Sequence, residues 1–348
     1  MKRLLFMIAT IGLLASCSDD LTESNELAKD ASFSSAKLAS MAPAHRSCQS
    51  MDVLERQMMD NPGLAIKMEK IEEHTRRVKQ NMSTMKPGKG NGGGKPGGGG
   101  GGGGDPVFND AVTIPVIVHV IYSNNNENIS DAQINSQIDV LTEDFTASNS
   151  DINNVPSEFA GDVADANISF VLDRVTRKAS SRTSWGTNDD MKFASRGGVD
   201  VIDPSTYLNI WVCNIGGGIL GYAQFPGGSS ATDGVVVGPN FFGRTGFLSA
   251  PFDDGRTTTH EVGHWLNLRH IWGDGRCNRD DFVDDTPRAD RPNYGCPGYP
   301  TVHCRSNDMT MNYMDYVDDN CMFMFSNGQN DRMRALFAAG GARESLVN

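Results

Sequence analysis

Thr257-Thr-Thr-His-Glu-Val-Gly-His-Trp-Leu-Asn-Leu-Arg-His270 holds three of the seven histidines of a 348-residue chain, at i, i+4 and i+10, with a glutamate directly after the first. Residues four apart stack on one face of a helix, so His260 and His264 can aim both imidazoles at one ion. Glu261 is rotated off that face, placed to reach a water that the metal holds. His270 lies too far along to share the face unless the helix stops and the chain turns back. The spacing therefore predicts a zinc site on three histidines and a helix end near Asn267.

Composition bounds what can surround this helix. A net charge of -12 argues against nucleic acid as a partner, which calls for a basic face. Hydrophobic content is 38% for the whole chain, diluted by a leader and a linker. Residues 107–348 remain long enough to bury a proper core and are read as the catalytic domain.

The first seventeen residues read as an export signal, with Lys2 and Arg3 ahead of the short apolar run Leu4 to Ala15, too short to span a bilayer comfortably. Leu14-Ala15-Ser16-Cys17 resembles the lipobox of bacterial lipoproteins, so Cys17 is the expected lipidation site. The membrane contact expected is thus a lipid anchor alone, at the cell envelope or surface, with the catalytic domain released after processing.

Residues 18–87 are read as a tether and pro-segment. Apolar residues recur at helical spacing between Met51 and Lys79 and break at Asn61-Pro62-Gly63, which predicts two short helices. Just before them stands Arg46-Ser47-Cys48, and a lone cysteine upstream of a zinc motif can act as a latency switch by placing its thiolate where the catalytic water belongs. Residues 88–106 follow as a linker. Thirteen of the seventeen residues from 88 to 104 are glycine, a composition that cannot recover its ordering entropy. A disordered stretch of that length spans about 20 to 25 Å, enough to fold the pro-segment back over a cleft and to expose a cut site for an activating protease.

In the main domain, Ile114–Tyr122 reads as a buried strand, and its His119 as a core histidine. Ser130-Asp-Ala-Gln133 has the form of a capping box before a helix whose apolar face is Ile134, Ile138, Leu141 and Phe145. Strands are expected at 168–175, 208–215 and 235–237. Gly216–Pro226 suits a bulged sheet edge, and an extended peptide substrate could be held there by adding a strand. Cysteines 277, 296, 304 and 321 imply two bridges with three possible pairings, and Cys213 a buried thiol.

Near the end, Met311 opens the run Asn312-Tyr-Met-Asp-Tyr316. Together with His260–His270 and the Asp285-Thr-Pro287 stretch, it resembles the pappalysin family of metzincin zinc endopeptidases, in its short bacterial, ulilysin-like form. The resemblance covers most of residues 107–340. It departs at Asn267, where metzincins carry glycine, although asparagine is the next residue most tolerant of positive φ. It implies a metzincin-like α/β (α+β) fold: a twisted mixed sheet with long helices in an N-terminal subdomain, the active-site helix, and an irregular, disulfide-tied C-terminal subdomain. It also implies Met314 as the Met-turn residue beneath the imidazoles and Tyr316 as a phenol that stabilises the tetrahedral intermediate. Further implications are Cys277 paired with Cys304, Cys296 with Cys321, and calcium on Asp281, Asp284, Asp285 and Thr286.

The expected activity is hydrolysis of protein or peptide bonds by metal-activated water, with Glu261 as general base, in an enzyme made as a zymogen. Asp318 and Asp319, just past the Met-turn, are candidates for a pocket that favours a basic residue after the scissile bond. The competing readings are a surface adhesion lipoprotein with purely structural metals and a zinc amidase. An open three-ligand site with Glu261 beside it argues against the first, because structural zinc usually has four protein ligands.

Overall fold

The computed structural model describes Pro43, residues 45–85, Phe108 and residues 110–347. The stretch read as an export signal, the expected lipidation site Cys17, most of the expected tether and the glycine-rich stretch lie outside the described residues. The described residues from Pro43 onward form one unit, in which residues 45–85 pack on residues 110–347.

The pro-segment contributes helices α1 (Ser50–Asp60) and α2 (Gly63–Met85), parted at Asn61-Pro62. The helix break is where proline chemistry predicts it, but α2 is long, at 23 residues. Leu54, Leu64 and Met68 turn inward and pack with Phe225 of the catalytic part.

Behind them lies a five-stranded sheet built from β1 (Val112–Tyr122), β2 (Ile168–Ala179), β3 (Leu208–Val212), β4 (Gly221–Ala223) and β5 (Val235–Val237). The order is β2-β1-β3-β5-β4, parallel except for β4, which runs antiparallel to β5 at the edge. β3 and β5 are wholly buried and β1 nearly so, which is why these stretches read as continuous β-branched runs. His119 in β1 is indeed a core residue, its ring nitrogens bonded to Thr176 Oγ1 (2.8 Å) and Asn209 Oδ1 (2.9 Å).

Helix α3 (Asp131–Phe145) covers the sheet with Ile134, Ile138, Leu141 and Phe145. Only half of its expected capping box forms. Ser130 accepts from the Gln133 backbone N–H, but the Gln133 amide donates instead to the carbonyls of Pro239 and Phe242, tying down the next loop. A complete box caps helix α5 (Asn327–Arg334), through Ser326 and Gln329.

Between these lies helix α4 (Arg256–Trp265), held to α3 by polar bonds. Thr258 Oγ1 donates to Gln137 Oε1 (2.7 Å) and Thr259 Oγ1 to Asp144 Oδ2 (2.6 Å). Burial pushes the Asp144 carboxyl up to about 7, although Arg256, 3.3 Å away, pulls it down. This buried network, in which only Arg256 Nε lacks a partner among the described residues, fixes how α4 is rotated, which the apolar core alone would not.

The C-terminal part is irregular. Bridges join Cys277 to Cys304 and Cys296 to Cys321, closing loops with sequence separations of 27 and 25. In the chain-entropy account each is worth about 3 kcal/mol, less jointly because the loops overlap. Cys213 is a buried free thiol.

Candidate metal centre and cleft

Helix α4 ends at Trp265, and Asn267 takes φ +69° in the turn that follows. The Leu268 N–H donates back to the Gly263 carbonyl (2.9 Å), closing the turn, and His264 Nδ1 bonds the Leu268 carbonyl (2.8 Å). The turn brings His270 back over the helix. A Cβ at Gly263 would stand 2.5 Å from Met314 Sδ, so glycine there lets the buried Met314 side chain lie directly against α4.

The three rings converge. His264 Nε2 lies 3.2 Å from His260 Nε2 and 3.1 Å from His270 Nε2. His260 Nδ1 faces the Tyr313 carbonyl (2.7 Å), His264 Nδ1 the Leu268 carbonyl, and His270 Nδ1 the Asp274 carboxylate (2.5 Å). Each acceptor obliges Nδ1 to carry the proton, which leaves three Nε2 lone pairs pointing at one another. Burial, reinforced by the neighbouring imidazoles, holds His260 and His264 well below the usual histidine range and so neutral. Facing lone pairs repel unless a cation lies between them. Tetrahedral zinc with bonds of about 2.0–2.1 Å would set its nitrogens about 3.3 Å apart, so the donor set fits that ion.

Among the described residues this is the single group of potential ligands that converges, and it has a fourth member, Cys48. All ligand atoms of the four lie within 4.8 Å of one another, and all four residues are buried. Burial, then the charge of Glu261, pushes the Cys48 thiol well above its ordinary pKa; a cation among the imidazoles would pull it down.

Residues 48–50 also engage the groups around the metal position. Glu261 Oε2 accepts from Ser50 Oγ (2.7 Å) and from the Cys48 thiol (3.3 Å), while Ser50 Oγ accepts from the Ala223 N–H (2.8 Å). Burial pushes the Glu261 carboxyl up to about 7, against the pull of Ser50 and Cys48. The Tyr316 hydroxyl donates to the Cys48 carbonyl (3.2 Å), with its ring packed against His260 and His270.

On one side of the thiol, Arg46 enters a closed pocket. Its Nη2 lies 2.5 Å from Asp319 Oδ1, its Nε donates to the Val317 carbonyl (3.2 Å), and its Nη1 to Thr257 Oγ1 (3.1 Å). Phe252 covers the guanidinium, 5.1 Å from ring centre to Cζ. Asp319 is itself pinned by the N–H groups of Asp254 and Arg256 at the start of α4. Asp318 is half-buried beside it and feels the Arg46 charge through space.

Between these contacts the pro-segment joins the sheet. Cys48 pairs with Gly221 in parallel, the Leu220 N–H donates to the Ser47 carbonyl (3.0 Å) and the Gln49 N–H to the Gly221 carbonyl (3.3 Å). The glycine-rich edge thus contains a real strand, β4, and it does take on an extended segment. Gly221 has no room for a Cβ, which would meet the Val236 carbonyl at 2.9 Å and Glu261 Cγ at 3.0 Å.

Asp281, Asp284, Asp285 and Thr286 do not converge as a ligand set. Asp281 accepts from Thr286 Oγ1 (2.7 Å) and the Val283 N–H (3.1 Å), whereas Asp285 is drawn away to Ser326 Oγ (2.6 Å) and the Gly328 N–H (2.7 Å) at the start of α5. Two site residues escaped the sequence reading, Arg46 and Ser50. A signal for them existed: 46, 48 and 50 alternate at the period of an extended strand, so all three can face one wall.

A sequence profile described as pregnancy-associated plasma protein-A, of peptidase family M43, matches residues 197–338. An extracellular metalloprotease of Arthroderma benhamiae is 34% identical over 251 residues, covering 67% of this chain and 76% of that protein. Extracellular metalloprotease 1 of Coccidioides posadasii is 32% identical, covering 65% and 77%. Among solved structures, mature mirolysin of Tannerella forsythia in complex with a cleaved peptide has a TM-score of 0.67 at 46% identity, covering 69% of this chain and 96% of that one. A promirolysin of the same organism has a TM-score of 0.73 at 38% identity and covers 86% and 97%.

Proposed function

From the premise that the chain belongs to the pappalysin family and is a zinc metalloendopeptidase of the metzincin type, we propose that it is exported as a latent precursor and cleaves peptides before a basic residue. The observation that carries this reading is the seating of Arg46, Cys48 and Ser50 in one line across the cleft.

Bound zinc supplies a Lewis acid and a water whose pKa falls toward about 7. The chain's own residues do the rest. Glu261, freed of Ser50 and Cys48, takes the proton of the attacking water at Oε2 and delivers it to the leaving amine. Tyr316 turns its hydroxyl from the Cys48 carbonyl to the substrate carbonyl, where negative charge develops. β4 aligns the substrate by strand addition, with Gly221 giving the backbone access to Glu261.

In the precursor each of these groups is engaged. The Cys48 sulfur sits among the imidazoles, Ser50 holds Glu261, and the Cys48 carbonyl holds Tyr316. Arg46 fills the pocket proposed for the residue after the scissile bond. Because Arg46 precedes Cys48, the pro-segment lies in the direction opposite to such a substrate, consistent with its parallel pairing to Gly221. A segment held backwards presents no carbonyl to the attacking water in productive geometry.

Residues 1–17 as an export signal, lipidation at Cys17, residues 18–87 as tether and pro-segment, a cut by another protease in residues 88–106, and a catalytic domain from 107 complete the proposal. The names of the relatives, extracellular metalloproteases, support export. Calcium belongs here too, on a smaller set than the four residues expected, because Asp285 is taken by Ser326 and Gly328. Asp281, Asp284 and Thr286 line a cavity of about 170 Å³, and burial pushes the Asp281 carboxyl up to about 7, a group that a cation would hold ionised.

A peptide library cleaved by the processed protein tests the specificity. Arginine or lysine should dominate after the scissile bond, and Asp319→Asn should cut the preference for arginine over norleucine by about tenfold or more, since it leaves the guanidinium without its buried partner. A library profile led by bulky apolar residues would overturn the proposal.

A further inference from the structure

A second ionic seat lies on the catalytic part, built from Asn267 and Arg269 of the turn after α4 and Arg332 of α5. Arg332 of α5 forms a two-pronged pair with Glu72 of α2, Nη1 to Oε2 at 2.7 Å and Nη2 to Oε1 at 2.5 Å. Asn267 Nδ2 adds a third donor to Glu72 Oε1 (3.2 Å). The charge of Arg269 acts on the same carboxylate. The seat is held together by the catalytic part itself: Arg332 Nε donates to the Asn267 carbonyl (2.7 Å), Arg332 and Arg269 share the Phe282 ring at 5.2 and 5.6 Å, and Arg269 also lies over Phe225. Of the nearby acids, Asp274 pairs with His270, Asp281 accepts from Thr286, Asp280 from the Phe282 N–H, and Asp285 from Ser326 and the Gly328 N–H, while Asp284 and Asp331 line the same opening as Arg332.

Removal of the pro-segment takes Glu72 away and leaves the receptor standing. Two guanidiniums then flank Phe282 without the carboxylate that pairs them, and the Arg269 Nε and Asn267 Oδ1 are buried without partners among the described residues. The seat also borders the cleft. Arg269 and Phe282 line a cavity of about 330 Å³ with Met51, three residues past the thiol at the metal position, and Arg332 and Phe282 line the adjoining one of about 570 Å³. A chain lying in the cleft passes this opening on the side away from the Arg46 pocket.

We propose that Asn267, Arg269 and Arg332 form a carboxylate-binding site that receives an acidic side chain of the peptide substrate, on the side N-terminal to the scissile bond. Glu72 occupies it in the precursor. The fork of Arg332 selects a planar carboxylate over other groups, as bidentate guanidinium pairing does. Asn267, which departs from the glycine of related turns, thereby supplies a donor that glycine lacks. The side assigned to the site rests on the orientation given under the proposed function; the site itself does not.

The test uses full-length protein cut by limited proteolysis in the glycine-rich segment and then separated from the released pro-segment. Fluorescent peptides with one arginine carry glutamate or glutamine at successive positions before it. Their affinities are read by anisotropy in the Glu261→Ala background, where turnover does not interfere. One position should favour glutamate about tenfold, and Arg332→Gln should return that ratio to one. Arg332 is buried, so Arg269→Gln, at the cavity mouth, serves as a second variant and should reduce the ratio. A ratio of one at every position, or a preference that survives both substitutions, overturns the site. Discrimination without hydrolysis by the Glu261 protein would remove the hydrolytic reading alone; hydrolysis without discrimination would remove this inference alone.

Discussion

Glu261→Ala, in protein freed of its pro-segment, is expected to lose about 10²- to 10⁴-fold in peptide hydrolysis while retaining its zinc. The magnitude is that of removing a positioned proton carrier. Retention of metal follows from the geometry: the three Nε2 atoms are oriented by Tyr313, Leu268 and Asp274, none of which touches Glu261. Glu261→Gln should behave likewise, because an amide keeps the shape but cannot accept the proton. The readout is kcat on a fluorogenic peptide alongside metal analysis of the same sample. Turnover equal to the unmodified protein would remove Glu261 from the mechanism. Loss of zinc in parallel with activity would instead make it a structural residue of the site.

The second large effect concerns latency. Full-length Cys48→Ala should hydrolyse peptide without processing, at a rate about two orders of magnitude above the full-length parent. Loss of the thiol at the metal position releases the pro-segment from its strongest proposed contact, and two orders correspond to about 2.7 kcal/mol. Release is incomplete because the pairs of Arg46 with Asp319, Arg56 with Asp189 and Glu72 with Arg332 remain. Ser50→Ala should raise the rate less, since it frees Glu261 of one hydrogen bond and leaves the sulfur in place. A Cys48→Ala precursor as silent as its parent would assign latency to these ionic contacts and not to the thiol.

Much of the fold was legible where one local constraint sufficed. The four-residue spacing of His260 and His264 demanded a helix, and the ten-residue offset to His270 demanded its end, which the positive φ of Asn267 supplies. The buried strands announced themselves because a sheet covered on both faces needs apolar side chains on both. Short or glycine-rich pieces were harder. β4 has three residues and a glycine chosen for closeness to Glu261, so it read as an edge and not as a strand. The half-formed cap at Ser130 failed for a distant reason: Gln133 found better acceptors in the loop after Gly238.

Long-range polar choices were not legible at all. Asp285 is taken by Ser326 and Gly328, some forty residues on, and nothing in the aspartate run says so. Arg46 meets Asp319 across 273 residues, and Glu72 meets Arg332 across 260. Each partner in isolation is an ordinary charged residue; only the fold makes them pairs. The motif pointed to the three histidines that converge, whereas the residues facing them, Cys48 and Arg46, are placed by contacts across the fold.

In the proposed precursor, one zinc ion is shared by His260, His264, His270 and Cys48 until the pro-segment leaves. Zinc-edge X-ray absorption on the full-length protein before and after processing addresses it directly. Three nitrogens and one sulfur are expected around zinc in the precursor, with the sulfur replaced by oxygen after processing. A precursor whose zinc lacks sulfur, or a coordination that processing leaves unchanged, would contradict it.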